Sequence, residues 1–250
     1  MIGIFDSGSG GLSVASEIIK LLPNADVMYI GDTKNMPYGN KSSAELFSLT
    51  HTMISFLISQ KCTTLVSACN SISSQVILNK HFHHKIPIIE MVHPTVSHLT
   101  QQADKKIALV ATPATINSHL YQTELQKHAI TAHMMANPSL ALAIENNNQT
   151  IINQEIEKII NECKKHHIKI LSLSCTHYPL VKDSFKKIAE SLNLTIEIFD
   201  PSNAVALKVA EIIPNQGTGS CKTFTTQENS HFTDLLKQKI PHATHEVISL

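Results

Sequence analysis

The run Thr64-Leu65-Val66-Ser67-Ala68-Cys69-Asn70-Ser71 decides the fold. A short apolar stretch ends in a polar tripeptide, and a segment of helical length follows. Near-continuous apolar runs of this size suit strands of a parallel sheet covered on both faces. The same construction recurs at Ile170-Leu171-Ser172-Leu173-Ser174-Cys175-Thr176-His177. Working outward, further strand-like runs lie at 2–5, 27–30, 86–91, 107–111 and 196–199. Helical segments fall between them at 12–22, 42–59, 71–79, 116–127, 151–166, 180–192 and 203–213. Strands alternating with helices predict an α/β fold with mainly parallel sheets. Ligands in that class bind beyond the carboxyl ends of the strands.

An internal repeat is visible at a single offset. A shift of 106 residues carries the strand end at Asp6 onto Thr112 and the strand end at Cys69 onto Cys175. It also carries 28–30 onto 134–136 and Tyr38-Gly39 onto Ile144-Glu145. The repeat predicts two pseudo-symmetric α/β domains, each offering one cysteine at a strand end. The boundary is expected near His93-Pro94, and the tail is expected to return to the first domain. The division is thus 1–93 plus about 206–250, and 94–205.

Lys plus Arg number 20 and Asp plus Glu number 20, so no general attraction for phosphate backbones or anionic membranes is expected. That argues against nucleic-acid binding as the main function. No apolar run approaches the roughly 20 residues that span a bilayer. The opening residues reach Asp6 too soon for a signal peptide and carry no basic group before it, so a cytoplasmic protein is expected. Five cysteines at irregular spacing do not form a disulfide framework in a reducing compartment. A special cysteine must then be special as a thiol.

Cys69 and Cys175 each sit where a strand hands over to a helix. Unpaired N–H groups and the partial positive charge of a helix start favour a thiolate there and lower its pKa. The same N–H groups can hold a substrate carboxylate. A buried cysteine is more often a small hydrophobe, but two in matching positions weaken that reading. Cys62, Cys163 and Cys221 lack this setting. Asp6-Ser7-Gly8-Ser9-Gly10-Gly11 is a glycine-rich turn without the Walker lysine or the GxGxxG spacing, so a nucleotide site is not favoured. Asp6 either caps the next helix or orients a proton carrier, and Ser7 can donate to a carboxylate. His177 can shuttle a proton or tune Cys175. The repeat places Glu145 beside the cleft. His81-Phe82-His83-His84 and Cys163-x-x-His166-His167 contain metal-binding residue types, but no second pair has finger-like spacing, and no metal is expected.

Together these motifs resemble the glutamate racemase family. Phe5-Asp6-Ser7-Gly8-Ser9-Gly10-Gly11-Leu12-Ser13-Val14 matches its FDSGxGGLSV, and Gly31-Asp32-Thr33-Lys34-Asn35-Met36-Pro37-Tyr38-Gly39 its GDTxxxPYG. Ala68-Cys69-Asn70-Ser71 matches ACNT, and Ser174-Cys175-Thr176-His177-Tyr178-Pro179-Leu180 matches GCTHYPL. Thr112 and Thr115 echo a further pattern that continues to Ser118 and Tyr121. The resemblance implies two domains facing each other across a central cleft, often as a homodimer, and no cofactor. It implies interconversion of L- and D-glutamate, the latter for peptidoglycan. Cys69 would take the proton from D-glutamate, with help from Asp6, and Cys175 from L-glutamate, with help from His177. Glu145 would be a further acid near Cys175. Ser7, Pro37, Tyr38, Gly39, Asn70, Ser71, Thr112, Thr115 and Thr176, with Asp6 and His177, would hold the substrate. Departures stand at Ser71 for Thr, Ser174 and Ala111 for Gly, and Asn137-Pro138 for Cys-Pro. An aspartate racemase, a Cys–His hydrolase and a non-catalytic binding module remain the competing readings.

Overall fold

The computed structural model describes residues 1–79, 82, 86–102 and 104–250. Its strands, in chain order, are β1 (Ile2–Asp6), β2 (Val27–Gly31), β3 (Thr64–Ser67), β4 (Ile88–Ile89), β5 (Ile107–Ala111), β6 (His133–Ala136), β7 (Ile170–Leu173), β8 (Glu197–Phe199), β9 (Cys221–Thr225) and β10 (Thr244–Val247). Helices α1 (Leu12–Leu21), α2 (Ser43–Ser59), α3 (Asn70–Leu78), α4 (Val92–Thr100), α5 (Pro113–Asn117) and α6 (Leu120–Gln126) lie in the first half of the chain. The second half holds α7 (Leu140–Glu145), α8 (Gln149–Lys165), α9 (Lys182–Ser191), α10 (Ser202–Ile212) and α11 (Ser230–Lys239).

The strands form two sheets, ordered β10-β9-β2-β1-β3-β4 and β6-β5-β7-β8. Every strand pairing among the described residues is parallel. The fold is α/β with two parallel sheets. The repeat is written into the topology, because β2-β1-β3-β4 and β6-β5-β7-β8 have the same order. It even holds in register: Ile2 pairs with Val27, and Ala108 with His133, both 106 residues further on. On the other side the match slips by one residue, since Ile2 pairs with Thr64 but Ala108 with Leu171.

Helices cover both faces of both sheets, which is why the strands read as unbroken apolar runs. Ile4, Val66 and Tyr29 pack under α1, α10 and α11, while Phe5, Met28 and Leu65 face the layer of α2 and α3. In the second sheet Val110 and Leu171 face α7, α8 and α9, and Leu109 and Ile170 face α4 and α6. Helix α10 returns the chain to the first sheet: Val205, Ala206 and Val209 are fully buried in the core that includes Val14 and Ile18 of α1.

Several elements depart from the sequence expectation. The strand expected at 86–91 shrinks to Ile88–Ile89, because the Glu90 side chain accepts the Val92 and His93 N–H groups and starts α4 there. The helix expected at 116–127 starts early, with Thr112 as N-cap and Pro113 in the first turn, and breaks at His119, whose φ is 57°. The helix expected from 180 opens instead as a single 3-10 turn, Tyr178–Val181, before α9. Cys175 therefore lies three residues before a short turn rather than at the start of a long helix. The triplet His81, His83 and His84 lies outside the described residues.

Helix α11 docks through Phe232, which is fully buried against Tyr29 with ring centroids 5.9 Å apart. Phe232→Ala should lower the unfolding free energy by about 3–5 kcal/mol in a denaturant titration. A loss below about 1 kcal/mol would mean that the C-terminal segment does not belong to the first core.

Candidate active site

Parallel strands end on a common edge, and the polar tripeptides after β1, β3, β5 and β7 gather there. A tight cavity of about 20 Å³ lies between the two sheets. Its walls include Ser7, Pro37, Tyr38, Gly39, Cys69, Asn70 and Ser71 from the first sheet's loops, and Thr112, Glu145, Cys175, Thr176 and His177 from the second's. Met36, Ala141 and Leu142 complete it, apolar residues that sequence reasoning does not single out. Asp6 and Thr115 do not line the cavity; both are buried beneath its wall.

The two sides meet closely. A Cβ on Gly10 would stand 2.6 Å from Thr176 Oγ1 and 2.9 Å from the His177 backbone nitrogen. The glycine there lets the first turn touch the Cys175 loop, which accounts for the motif without any phosphate. Across the same seam the Thr176 hydroxyl donates to Asp6 Oδ1 at 3.3 Å, and the Ser71 and Thr112 hydroxyls lie 2.9 Å apart. Thr115 supports Thr112 through a hydroxyl contact of 3.1 Å.

Asp6 caps the glycine-rich turn from beneath the site. Its Oδ2 accepts the N–H groups of Gly8 at 2.9 Å and Gly11 at 3.1 Å. Burial pushes its carboxyl above the ordinary value, against the pull of the His177 charge and those two N–H groups. Cys69 is the N-cap residue of α3, and its thiol lies 3.7 Å from the Ser7 hydroxyl. The helix start predicts a lowered thiol pKa there. Instead burial, followed by the Asp6 charge, pushes Cys69 up to about 12, outweighing the Ile72 N–H and the Ser7 hydroxyl. Helix-end polarity is a partial charge; loss of hydration on a fully enclosed sulfur is the larger effect.

On the Cys175 side Glu145 and His177 form a buried pair, Oε2 to Nε2 at 2.8 Å. Glu145 Oε2 also accepts the Ser9 hydroxyl at 2.6 Å, and its Oε1 accepts the Asn229 amide at 2.9 Å. Burial pulls the Glu145 carboxyl upward, yet the His177 hydrogen bond and charge and the Ser9 hydroxyl bring it down to about 2. Burial pulls His177 the other way, and Cys175 and Glu145 together raise it well above its ordinary 6.5. Glu145 is held in place by its helix: Asn137 Oδ1 accepts the N–H groups of Ser139 at 3.0 Å and Leu140 at 2.8 Å, starting α7. The Asn that stands in place of the family's Cys thus holds the turn that leads into the helix carrying Glu145.

Two other departures are absorbed in the core. The Ser174 hydroxyl is fully buried and lies 3.0 Å from that of Ser172, away from the cavity walls. Ala111 is buried at the end of β5, paired with Ala136. Asn70 has an unusual setting. Tyr121 donates to its Oδ1 at 2.6 Å, while its Nδ2 is buried without a hydrogen-bond partner in a residue that lines the cavity. An unpaired buried amide is costly, and an acceptor entering the cavity would satisfy it. Tyr38 is held by its hydroxyl on Asp32, which also takes Asn35 and Thr226.

Residues 13–209 match the family described as Asp/Glu/Hydantoin racemase. The glutamate racemase of Persephonella marina is 36% identical over 239 residues, covering 94% of this chain and 91% of the relative. The chain belongs to the glutamate racemase family. Among solved structures, a Bacillus anthracis glutamate racemase isoform superposes with a TM-score of 0.89 at 29% identity, covering 100% of this chain and 97% of that one. The Francisella tularensis glutamate racemase, solved in complex with D-glutamate, gives 0.83 at 27% identity, covering 100% and 96%. Membership makes this chain an isomerase, and no helix among the described residues is long and apolar enough to cross a membrane.

The Glu145–His177 pair sets a pH window. Glu145, lowered to about 2 from 4.5, contributes stability that is present above 4.5 and lost as pH falls towards 2. His177, raised from 6.5, contributes stability that is present below 6.5 and lost as pH climbs through its raised value. In Glu145→Gln the His177 imidazole should titrate at clearly lower pH, as read by imidazole resonances in NMR. An unchanged titration would show that Glu145 does not hold the proton on His177.

Proposed function

We propose that the chain interconverts L- and D-glutamate by direct proton transfer at Cα, without a cofactor. The carrying observation is that the Cys69 and Cys175 thiols open from different sheets into one cavity whose other walls are hydrogen-bonding groups. Racemisation needs a base on one face of Cα and an acid on the other. In this reading Cys69 takes the proton from D-glutamate and Cys175 from L-glutamate.

The Cα proton is very weakly acidic, so the site must stabilise the carbanion-like state with preorganised donors. The Asn70 amide, fixed by Tyr121 and unpartnered at Nδ2, supplies one donor for the substrate carboxylate. Ser7, Ser71, Thr112 and Thr176 supply hydroxyls on the same walls, and Pro37, Tyr38 and Gly39 bound the cavity near Thr112. Thr115 acts through Thr112. Asp6 assists Cys69, and His177, charged and held by Glu145, assists Cys175. With its thiol pushed up to about 12, Cys69 rests as the proton donor, which suits L-glutamate as the incoming substrate.

The division into residues 1–93 plus about 206–250, and 94–205, gives two bodies that must part to admit substrate and close to exclude water. The wider role we propose is the supply of D-glutamate for peptidoglycan in the cytoplasm, by an enzyme that pairs as a homodimer.

Circular dichroism of L-glutamate incubated with the enzyme and no added cofactor tests the reaction. Rotation should decay to zero, and L-aspartate should stay unchanged; decay of aspartate alone would replace the substrate. Cys69→Ala and Cys175→Ala should each abolish racemisation with the fold intact, and full turnover in either would overturn the two-thiol reading. Tyr121→Phe frees the Asn70 amide and should raise KM for glutamate by roughly 3- to 10-fold, as expected for loss of one hydrogen bond of about 1 kcal/mol. An unchanged KM would remove Asn70 from substrate binding.

A further inference from the structure

We infer a binding site for a divalent transition-metal ion on the outer side of the second sheet, formed by His133, Glu162 and His166. One ligand atom from each side chain lies within 4.8 Å of the others. His133 comes from the edge strand β6, and Glu162 and His166 stand one turn apart at the end of α8. The sequence paired His166 with Cys163, but Cys163 is fully buried in the core, so the helix points that thiol away. The second imidazole comes from a strand about thirty residues earlier, a distance across which no local spacing can signal.

The geometry favours an ion over a plain ion pair. Glu162 Oε1 lies 2.8 Å from His166 Nε2 and 3.5 Å from His133 Nε2, so one carboxylate oxygen faces both rings. The rings themselves stack, centroids 4.2 Å apart and 25° between planes. Two ring nitrogens and one carboxylate oxygen thus share one small patch of surface, where a single divalent ion can take all three. Two imidazoles and one carboxylate suit Zn²⁺, Co²⁺, Ni²⁺ or Cu²⁺ and not Mg²⁺ or Ca²⁺. With metal–ligand bonds of about 2.0–2.1 Å the ligand atoms of a tetrahedral site stand about 3.3 Å apart, a spacing that Glu162 Oε1 already approaches with both rings. The side chains are 32%, 36% and 40% exposed, so they have room to move and an ion can reach them. Lys165 engages the other carboxylate oxygen, Oε2, at 3.5 Å and leaves Oε1 to the ion.

Bound there, the ion would staple the edge of the sheet to α8. Strand β6 runs straight into Asn137, which holds the turn leading into the helix of Glu145. The staple would stiffen the support of the catalytic wall without touching it.

Co²⁺ is the probe, because it reports its ligands by colour. Titrated into the full chain, it should bind at one equivalent with the visible bands of nitrogen and oxygen ligation. Binding should weaken at least tenfold in His133→Ala and in His166→Gln. A thiolate-to-cobalt charge-transfer band as the only signal would place the ion on the cysteines and overturn the assignment. So would affinity unchanged from the parent chain in both variants, or no binding at millimolar Co²⁺. Should His133→Ala fail to fold, Glu162→Gln, on the solvent side of α8, carries the same test. Activity of the metal-free variants should match the parent chain.

Discussion

Parallel pairing obliges every strand of a sheet to end on the same edge, and the rest of the molecule depends on that constraint. Hydrogen bonding between parallel neighbours fixes their direction, and each crossover helix must return the chain to the opposite edge before the next strand begins. Asp6, Cys69, Thr112 and Cys175 are brought together because each lies within two residues of the carboxyl end of a strand. Two such edges set against each other give one cavity with a thiol on each side. No long-range signal is needed to assemble the pair of cysteines, only the repeated strand order.

Enclosure then sets the electrostatics. The groups of the site are almost without contact with water, so burial is the first influence on Asp6, Cys69, Glu145 and His177 alike. Their neighbours then set them apart. Cys69 has two weak donors and a carboxylate beside it, so it stays a thiol. Glu145 has His177, Ser9 and Asn229 around it, so it stays charged and keeps a proton on the histidine. Both halves contribute to that cluster: Ser9 and Asn229 come from elements of the first sheet, Glu145 and His177 from those of the second. The closed arrangement and the charge state of the site therefore support each other.

Sequence is most legible where the physics is local. Cys69 and Cys175 stand out because an apolar run stops at them, and the offset between them is a property of the chain. Glu145 is reachable only through that offset. The contacts of Ser9, Asn229 and Tyr121 are not reachable, since their partners lie 136, 84 and 51 residues away. Strands β9 and β10 are hidden for a related reason. Thr223 and Thr225 occupy inward positions of β9, and β10 at the sheet edge is Thr-His-Glu-Val, so neither shows an apolar run. Strand β6, His-Met-Met-Ala, has no β-branched residue and is half exposed. The pKa of Cys69 runs against the sequence expectation because a helix start can be read in the chain but the depth of burial cannot.

The repeat is broken in one place: β9, β10 and α11 extend the first sheet and have no counterpart in the second. Through Asn229 this added piece reaches Glu145 and so the surroundings of Cys175, while Cys69 has Asp6, Ser7 and the Ile72 N–H beside it. Mirror-image substrates have equal free energy in water. For the proposed reaction the equilibrium constant is therefore one, and kcat/KM must be the same in both directions whatever surrounds each thiol. The lopsidedness of the scaffold can appear only as a trade between kcat and KM, with one enantiomer held more tightly and turned over more slowly than the other.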